Sequence, residues 1–307
     1  MFLKLNEKLA KIQKKRFKRA ITPIIATILI LALVVAGVVI GFVQIVPYIE
    51  RSKVETDARS IQSSLIKVDN VIWDMIGDSA GSYLADSVPS RRLQVSVSIG
   101  TLSTLETRNN VSYRPVYCPG GTCPTNFNSA DPDYSSYTLG ALSHSFSSTY
   151  VLLPANTLEY LTGSNPYQKR SDVSYTSISS SVSDEQSSTN ISMYRNGYDN
   201  YIELSYRPKI FVTQTITSGS PTYNVNIFLI QLTGTSSFVG TSNVFIRYTG
   251  STVSKTTFTG SVGDSFELLM SVDGSTQGTY ANFNAAPGGF STNYIVTTTL
   301  QTFSISG

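Results

Sequence analysis

The chain has 307 residues, of which only 14% are charged, a low share for a soluble globular protein. Its formal charge of +3 belongs to the start: eight of the 23 Lys and Arg residues lie within positions 1–19, and residues 21–307 hold 15 basic against 19 acidic groups. That distribution argues against a nucleic-acid-binding body, which needs its basic patch in the folded part, and a single histidine, His144, argues against imidazole-based metal chemistry.

Residues 1–19 are polar, basic and of helical character, ending in Lys14-Lys15-Arg16-Phe17-Lys18-Arg19. From Ala20 to Ile49 there is no charged residue, and Ile24–Val43 alone gives 20 residues, enough to cross a hydrocarbon core of about 30 Å. The basic cluster ahead of it is expected to stay cytoplasmic, which places the C-terminal body outside the cell. An ordinary secretory signal has an apolar stretch of roughly 7–15 residues and then a small-residue cleavage site. Here the apolar run is longer, and no small-x-small site precedes the β-rich region. A plain transmembrane anchor fits the length.

The order of the signals points further. A basic run and a small residue, Lys18-Arg19-Ala20, come before the apolar stretch Ile21-Thr22-Pro23-Ile24-Ile25-Ala26-Thr27-Ile28-Leu29. This resembles the class III signal of archaeal type IV pilins and archaeal flagellins, over about residues 14–45. The resemblance implies cleavage by a prepilin peptidase after Ala20, a mature chain starting at Ile21, and a hydrophobic helix retained on the mature protein. It also implies an assembly ATPase and platform as partners, and copies of the chain itself in a helical homopolymer. Many relatives carry Glu at the fifth mature position, where this chain has Ile25. The Thr-Pro opening is closer to archaeal adhesive pilins than to archaeal flagellins.

After Pro47 the pattern turns amphipathic. Val54, Ala58, Ile61, Leu65, Val68, Ile72 and Met75 recur at alternating steps of four and three, a helical seam close to a heptad. Glu55, Asp57, Arg59, Lys67 and Asp69 are expected on the other faces. The spacing predicts a helix over about residues 22–76, with Pro47 able to kink it and Gly77 and Gly81 as stop signals. The seam serves either packing onto the chain's own β-domain or contacts between copies. Gly37 and Gly41 form a small-xxx-small pair suited to close helix approach. Candidate helix–helix packing residues are therefore Gly37, Gly41, Val54, Ile61, Leu65 and Val68.

Beyond about residue 85, Ser, Thr, Tyr, Asn and Gly dominate. Leu93, Val95, Val97 and Ile99 alternate with polar residues, as do Ile202, Leu204 and Tyr206, Tyr223, Val225 and Ile227, and Val244, Ile246 and Tyr248. Tyr294, Val296 and Leu300 share one face of a last strand. Period two with β-branched and aromatic residues predicts half-buried strands, with turns at Ser218-Gly219-Ser220-Pro221, Asp273-Gly274 and Pro287-Gly288-Gly289. Short antiparallel strands of this kind predict an immunoglobulin-like sandwich in the architectural sense. The stretch 108–137 is poor in strand pattern and reads as an exposed loop stapled by a Cys118–Cys123 disulfide, which fits an oxidising location. Residues 177–188 read as a serine-rich loop. Asn110-Val111-Ser112 and Asn190-Ile191-Ser192 are candidate N-glycosylation sequons.

No catalytic constellation emerges. His144 lies in an alternating strand pattern, and there is no G-x-S-x-G elbow. Asp131-Pro132-Asp133 offers two carboxylates, too few for a calcium site. The expected architecture is α+β: a basic leader over 1–20, a hydrophobic then amphipathic helix over 21–80 as filament core, and a self-contained extracellular β-domain over 85–307. The expected function is structural, not enzymatic: a subunit of a surface filament for adhesion or motility, with no cofactor and no nucleic acid. Its precursor would sit in the cytoplasmic membrane with its N-terminus inside. The alternative is a monomeric, single-pass surface binding protein.

Overall fold

The computed structural model describes residues 2–81, 90–118, 134–148, 153, 157–162, 177–180, 188–217, 220–261, 264–272, 275–283 and 292–307. One helix, α1 (Phe2–Gly81), comes first. Its aliphatic stretch has little competing turn chemistry, and the amphipathic stretch after it keeps the same 3.6-residue period. The helix runs straight through Pro47, although the Val43 carbonyl cannot receive the usual bond from a proline nitrogen. It also extends past Gly77, a predicted stop, to Gly81.

The chain divides into two compact units, Met1–Val54 and Glu55–Gly307. The amphipathic part of α1 thus belongs with the β-domain, and the unit boundary differs from the break expected at 80–85. The reason is packing. Ala58, Ile61, Leu65, Val68, Ile72 and Met75 are all buried within the second unit.

The strands in chain order are β1 (Ser90–Leu105), β2 (Asn110–Cys118), β3 (Ser135–Thr138), β4 (Ala141–Ser147), β5 (Thr157–Thr162), β6 (Ser177–Ser180) and β7 (Thr189–Asn196). They continue with β8 (Asp199–Tyr206), β9 (Lys209–Thr217), β10 (Ser220–Thr233), β11 (Ser237–Gly260), β12 (Ser265–Val272), β13 (Ser275–Phe283) and β14 (Thr292–Ser306). They form a ten-stranded sheet, β6-β5-β7-β8-β4-β1-β11-β14-β10-β9, and a four-stranded sheet, β13-β12-β2-β3.

Among the described residues two pairings are parallel, β5 with β6 and β10 with β14, where the sequence pattern predicts antiparallel neighbours. A parallel pair needs a long crossover. Between β10 and β14 the chain runs through β11, β12 and β13, and β12 and β13 lie in the smaller sheet. The crossover therefore carries strands of the second sheet, and the two sheets share a core. Val225, Ile227 and Leu229 of β10 and Tyr294 and Val296 of β14 cluster with Val111 and Tyr113 of β2 and Phe266, Leu268 and Met270 of β12. Phe266 stacks on Tyr294 with centroids 4.8 Å apart, and the Tyr113 and Thr298 hydroxyls hydrogen-bond across the core.

Three strands fall where loops are expected. β2 and β3 occupy 110–118 and 135–138 of the stretch read as a loop, and β6 occupies part of the serine-rich segment. In β2, Val111, Tyr113 and Val116 are buried, but Pro115 interrupts the alternation that would have marked them. Gly140, between β3 and β4, has φ +71, and a Cβ there would collide with the Leu232 carbonyl.

Candidate functional site

The feature with most to explain is the first unit. Along residues 25–49 of α1, seventeen large apolar side chains, from Ile25 to Ile49, are 41–76% exposed. The segment carries no charge. Gly37 and Gly41 have open space within 4 Å of where a Cβ would be, which is compatible with close approach of another helix. One helix of the described residues is long and apolar enough to cross a membrane. Left in water, such a surface is unfavourable by tens of kcal/mol, at about 1.5–3 kcal/mol per side chain.

The charged residues begin at Glu50 and Arg51. Arg59 pairs with Glu55 at 2.8 Å on an exposed face, a contact of little energy in water. From Ala58 onward one face of α1 is committed to the β-domain. Of the candidate helix–helix residues, Ile61, Leu65 and Val68 are buried in this intramolecular core and are not open to another copy. Val54 is half-buried and ends the first unit.

A polar cluster locks the end of this face. Asp69 Oδ1 accepts hydrogen bonds from Thr189 Oγ1 of β7 at 2.8 Å and from Tyr206 Oη of β8 at 2.9 Å. Trp73 Nε1 donates to Thr189 Oγ1 at 3.1 Å, and the Trp73 ring stacks on Phe228 of β10 at 6.1 Å. Burial raises the Asp69 pKa, against the pull of its Thr189, Tyr206 and Trp73 hydrogen bonds. Burial also pushes Tyr206 well above its ordinary value, with the Asp69 charge adding to it. The sequence places Asp69 off the seam, on another face of the helix, and names no partner for it. One local signal points to the cluster: it lies beside the seam residue Val68 and four residues before the chain's one tryptophan, hence on the same helix side as Trp73.

The remaining expected sites are placed as follows. Lys18, Arg19, Ala20 and Ile21 lie within α1, and their side chains lie outside the described residues. Cys118 ends β2 and is disulfide-bonded, while Cys123 lies outside the described residues. Asn110 is exposed at the start of β2 and accepts a hydrogen bond from Thr138 at 2.7 Å. Asn190 is 3% exposed within β7, and its amide donates to Ser205 at 3.3 Å. Of the two sequon asparagines, Asn110 is therefore exposed and Asn190 buried. His144 is fully buried in β4, with Nε2 2.6 Å from the Ile99 carbonyl. Burial lowers its pKa, opposed by that hydrogen bond and by the Asp57 charge. Asp131 and Asp133 lie outside the described residues. Among the described residues, no group of three His, Cys, Asp or Glu side chains is placed to hold a metal.

No protein-family model, curated protein or solved structure matches this chain. Its chemistry is that of surfaces: one long apolar helix face in search of cover, joined to a β-domain that is closed around its own cores.

Proposed function

We propose that this chain is a structural subunit of an archaeal type IV pilus-like surface filament, for adhesion or motility, polymerising through the apolar part of α1. The observation that carries the proposal is the charge-free, exposed helix surface over residues 25–49. Such a surface is stable in a bilayer or in the centre of a bundle of identical helices, and a precursor occupies these two places in turn. The leader signal Lys18-Arg19-Ala20 ahead of Ile21 supports removal of residues 1–20 by a prepilin peptidase. The β-domain, low in charge and rich in hydroxyl groups, would form the outer shell. We read it as a sandwich on the strength of the core shared by its two sheets. Its ten-stranded sheet and parallel pair depart from the seven or nine strands of immunoglobulin domains, so the immunoglobulin likeness is one of architecture. The role is structural rather than enzymatic and uses no cofactor or nucleic acid.

A second reading has one observation in its favour. The same helix is long and apolar enough to cross a membrane, so an unprocessed chain would be a single-pass surface protein. Electron microscopy and intact mass of protein released from the cell surface separate the two. Filaments built of chains that begin at Ile21 are the expected result. Dispersed single-pass monomers that retain Met1 would overturn the filament reading.

A further inference from the structure

We infer that neighbouring copies also join their outer domains edge to edge, with β9 of one copy pairing in parallel with the outer half of β11 of the next. The inference rests on the filament reading and adds a second contact to the helix core.

Strand β9 ends the ten-stranded sheet, and its free side is open among the described residues. Phe211 to Ile216 are all exposed, on both faces of the strand. They include Phe211, Val212 and Ile216 at 48%, 42% and 69% exposure. The only charge in β9 is Lys209, at its first position. An apolar, nearly uncharged edge strand is a template for pairing with another chain, unless it is blunted by charge, proline or cover.

A second open edge lies across the same lobe. β1 pairs with β11 only as far as Arg247. Beyond it, Ser251–Thr257 of β11 are exposed, with β14 on one side and no described strand on the other. The lobe reads β11-β14-β10-β9. β11 is antiparallel to β14, β14 is parallel to β10, and β10 is antiparallel to β9. The two open strands therefore run in the same direction. Thr213 of β9 aligns through Asn224 and Ile295 with Thr257 of β11, so the edges are also level.

This geometry selects the occupant. A copy displaced sideways by four strands, about 19 Å at roughly 4.8 Å per strand, presents its β11 edge to the first copy's β9 in parallel. The contact joins unlike edges, so it repeats without closing and gives every copy the same surroundings in an open polymer. Self-pairing of two β11 edges, antiparallel about Lys255, sets like charges against each other, which is unfavourable. Pairing of two β9 edges is free of that clash, but it closes after two copies. A nine-residue strand is about 30 Å long and about 10 Å thick, so it covers roughly 600 Å² in total, below the 1,200–2,000 Å² of a stable interface. The edge contact is thus too small to hold two free domains. It acts once the helices have tethered the copies at high effective concentration.

Cysteine pairs in the full-length chain test this directly. Thr213→Cys is combined in turn with Val253→Cys, Lys255→Cys and Thr257→Cys, which share its face of the sheet and span the available registers. Mild oxidation of surface protein is expected to give a ladder of disulfide-linked multimers from at least one pair, and none from any single variant. Dimers from Thr213→Cys alone would show that β9 pairs with itself and would overturn the inference. Filaments visible by electron microscopy with no ladder from any pair would overturn it while leaving the filament reading intact. Absence of filaments in the unsubstituted protein would overturn both.

Discussion

The carboxylate of Asp69 shows how far one side chain reaches in this domain. It accepts from Thr189 and Tyr206, so the hydroxyls of two strands depend on it. Asp69→Leu removes both of these bonds and is expected to cost about 1.5–3 kcal/mol for each, as for hydrogen bonds to a charged group. Asp69→Asn keeps an oxygen acceptor and removes the buried charge, so the stability loss should stay below about 1 kcal/mol at neutral pH. The sign of its pH effect follows from the raised pKa. Above the ordinary value of 3.8, the folded form holds the proton more tightly than the unfolded form. Asp69 therefore makes stability fall as pH rises through that window, and Asp69→Asn should remove this slope. His144 acts in the opposite sense. Its folded pKa lies below the ordinary 6.5, so the unfolded chain binds the proton more tightly and stability falls as pH drops below about 6.5. Urea midpoints measured across pH 4–8 for wild type, Asp69→Asn and His144→Gln check both signs. A His144→Gln variant that keeps the full loss between pH 6.5 and 5 would contradict the assignment.

At the level of elements, α1 is two devices in one helix. Its N-terminal stretch leaves an apolar surface open, and its stretch from Glu55 belongs to the β-domain. A chain starting at Glu55 is expected to fold as a soluble monomer. A chain starting at residue 85 loses the buried side chains from Ala58 to Met75, roughly 10 kcal/mol of burial at about 1.5–3 kcal/mol per large side chain. That is comparable to the whole stability of a domain, so the shorter chain should not fold. Circular dichroism and thermal melts of the two truncations decide the point, and a well-folded shorter chain would refute the packing described for α1. The seam of α1 was legible in the sequence because its period persists over six steps. Its partner was not, since a heptad seam reads the same against a sheet as against another helix. The strands at 93–99, 202–206, 223–227, 244–248 and 294–300 were legible from alternation and lie within β1, β8, β10, β11 and β14. β2 was hidden by Pro115 and by its nearness to the cysteine loop. The parallel pairing of β10 and β14 was hidden because side-chain period says nothing about strand direction. Of the site, the charge-free run of α1 was plain from composition. The Asp69–Thr189–Tyr206 cluster joins residues up to 137 positions apart, beyond the reach of any local pattern.

For the whole molecule, the division of labour predicts separable defects. Val39 lies in the exposed apolar stretch at 54% exposure, in the unit that excludes the β-domain. Val39→Asp is expected to leave the melting of the β-domain unchanged within about 1 °C, while abolishing filaments. An unpaired carboxylate at the axis of a helix bundle is unfavourable by several kcal/mol, and the loss recurs in every copy. Filaments of normal appearance from Val39→Asp would show that this part of α1 is not the polymer core.

The parallel pair of β10 and β14 sets the order in which the domain is completed. Thr222 pairs with Asn293, and β14 lies inside the sheet with β11 on its other side. Neither β10 nor the outer half of β11 gains its inner neighbour until the last described strand arrives. Pairings so distant along the chain are slow to form, because loop closure must come before any contact rewards it. A β-domain that crosses the membrane from β1 onward would keep its central seam open until residues 292–306 are outside. Maturation of the surface domain would then be timed by translocation of its final segment, and subunits stalled partway would be the ones most exposed to proteolysis and to mispairing with one another.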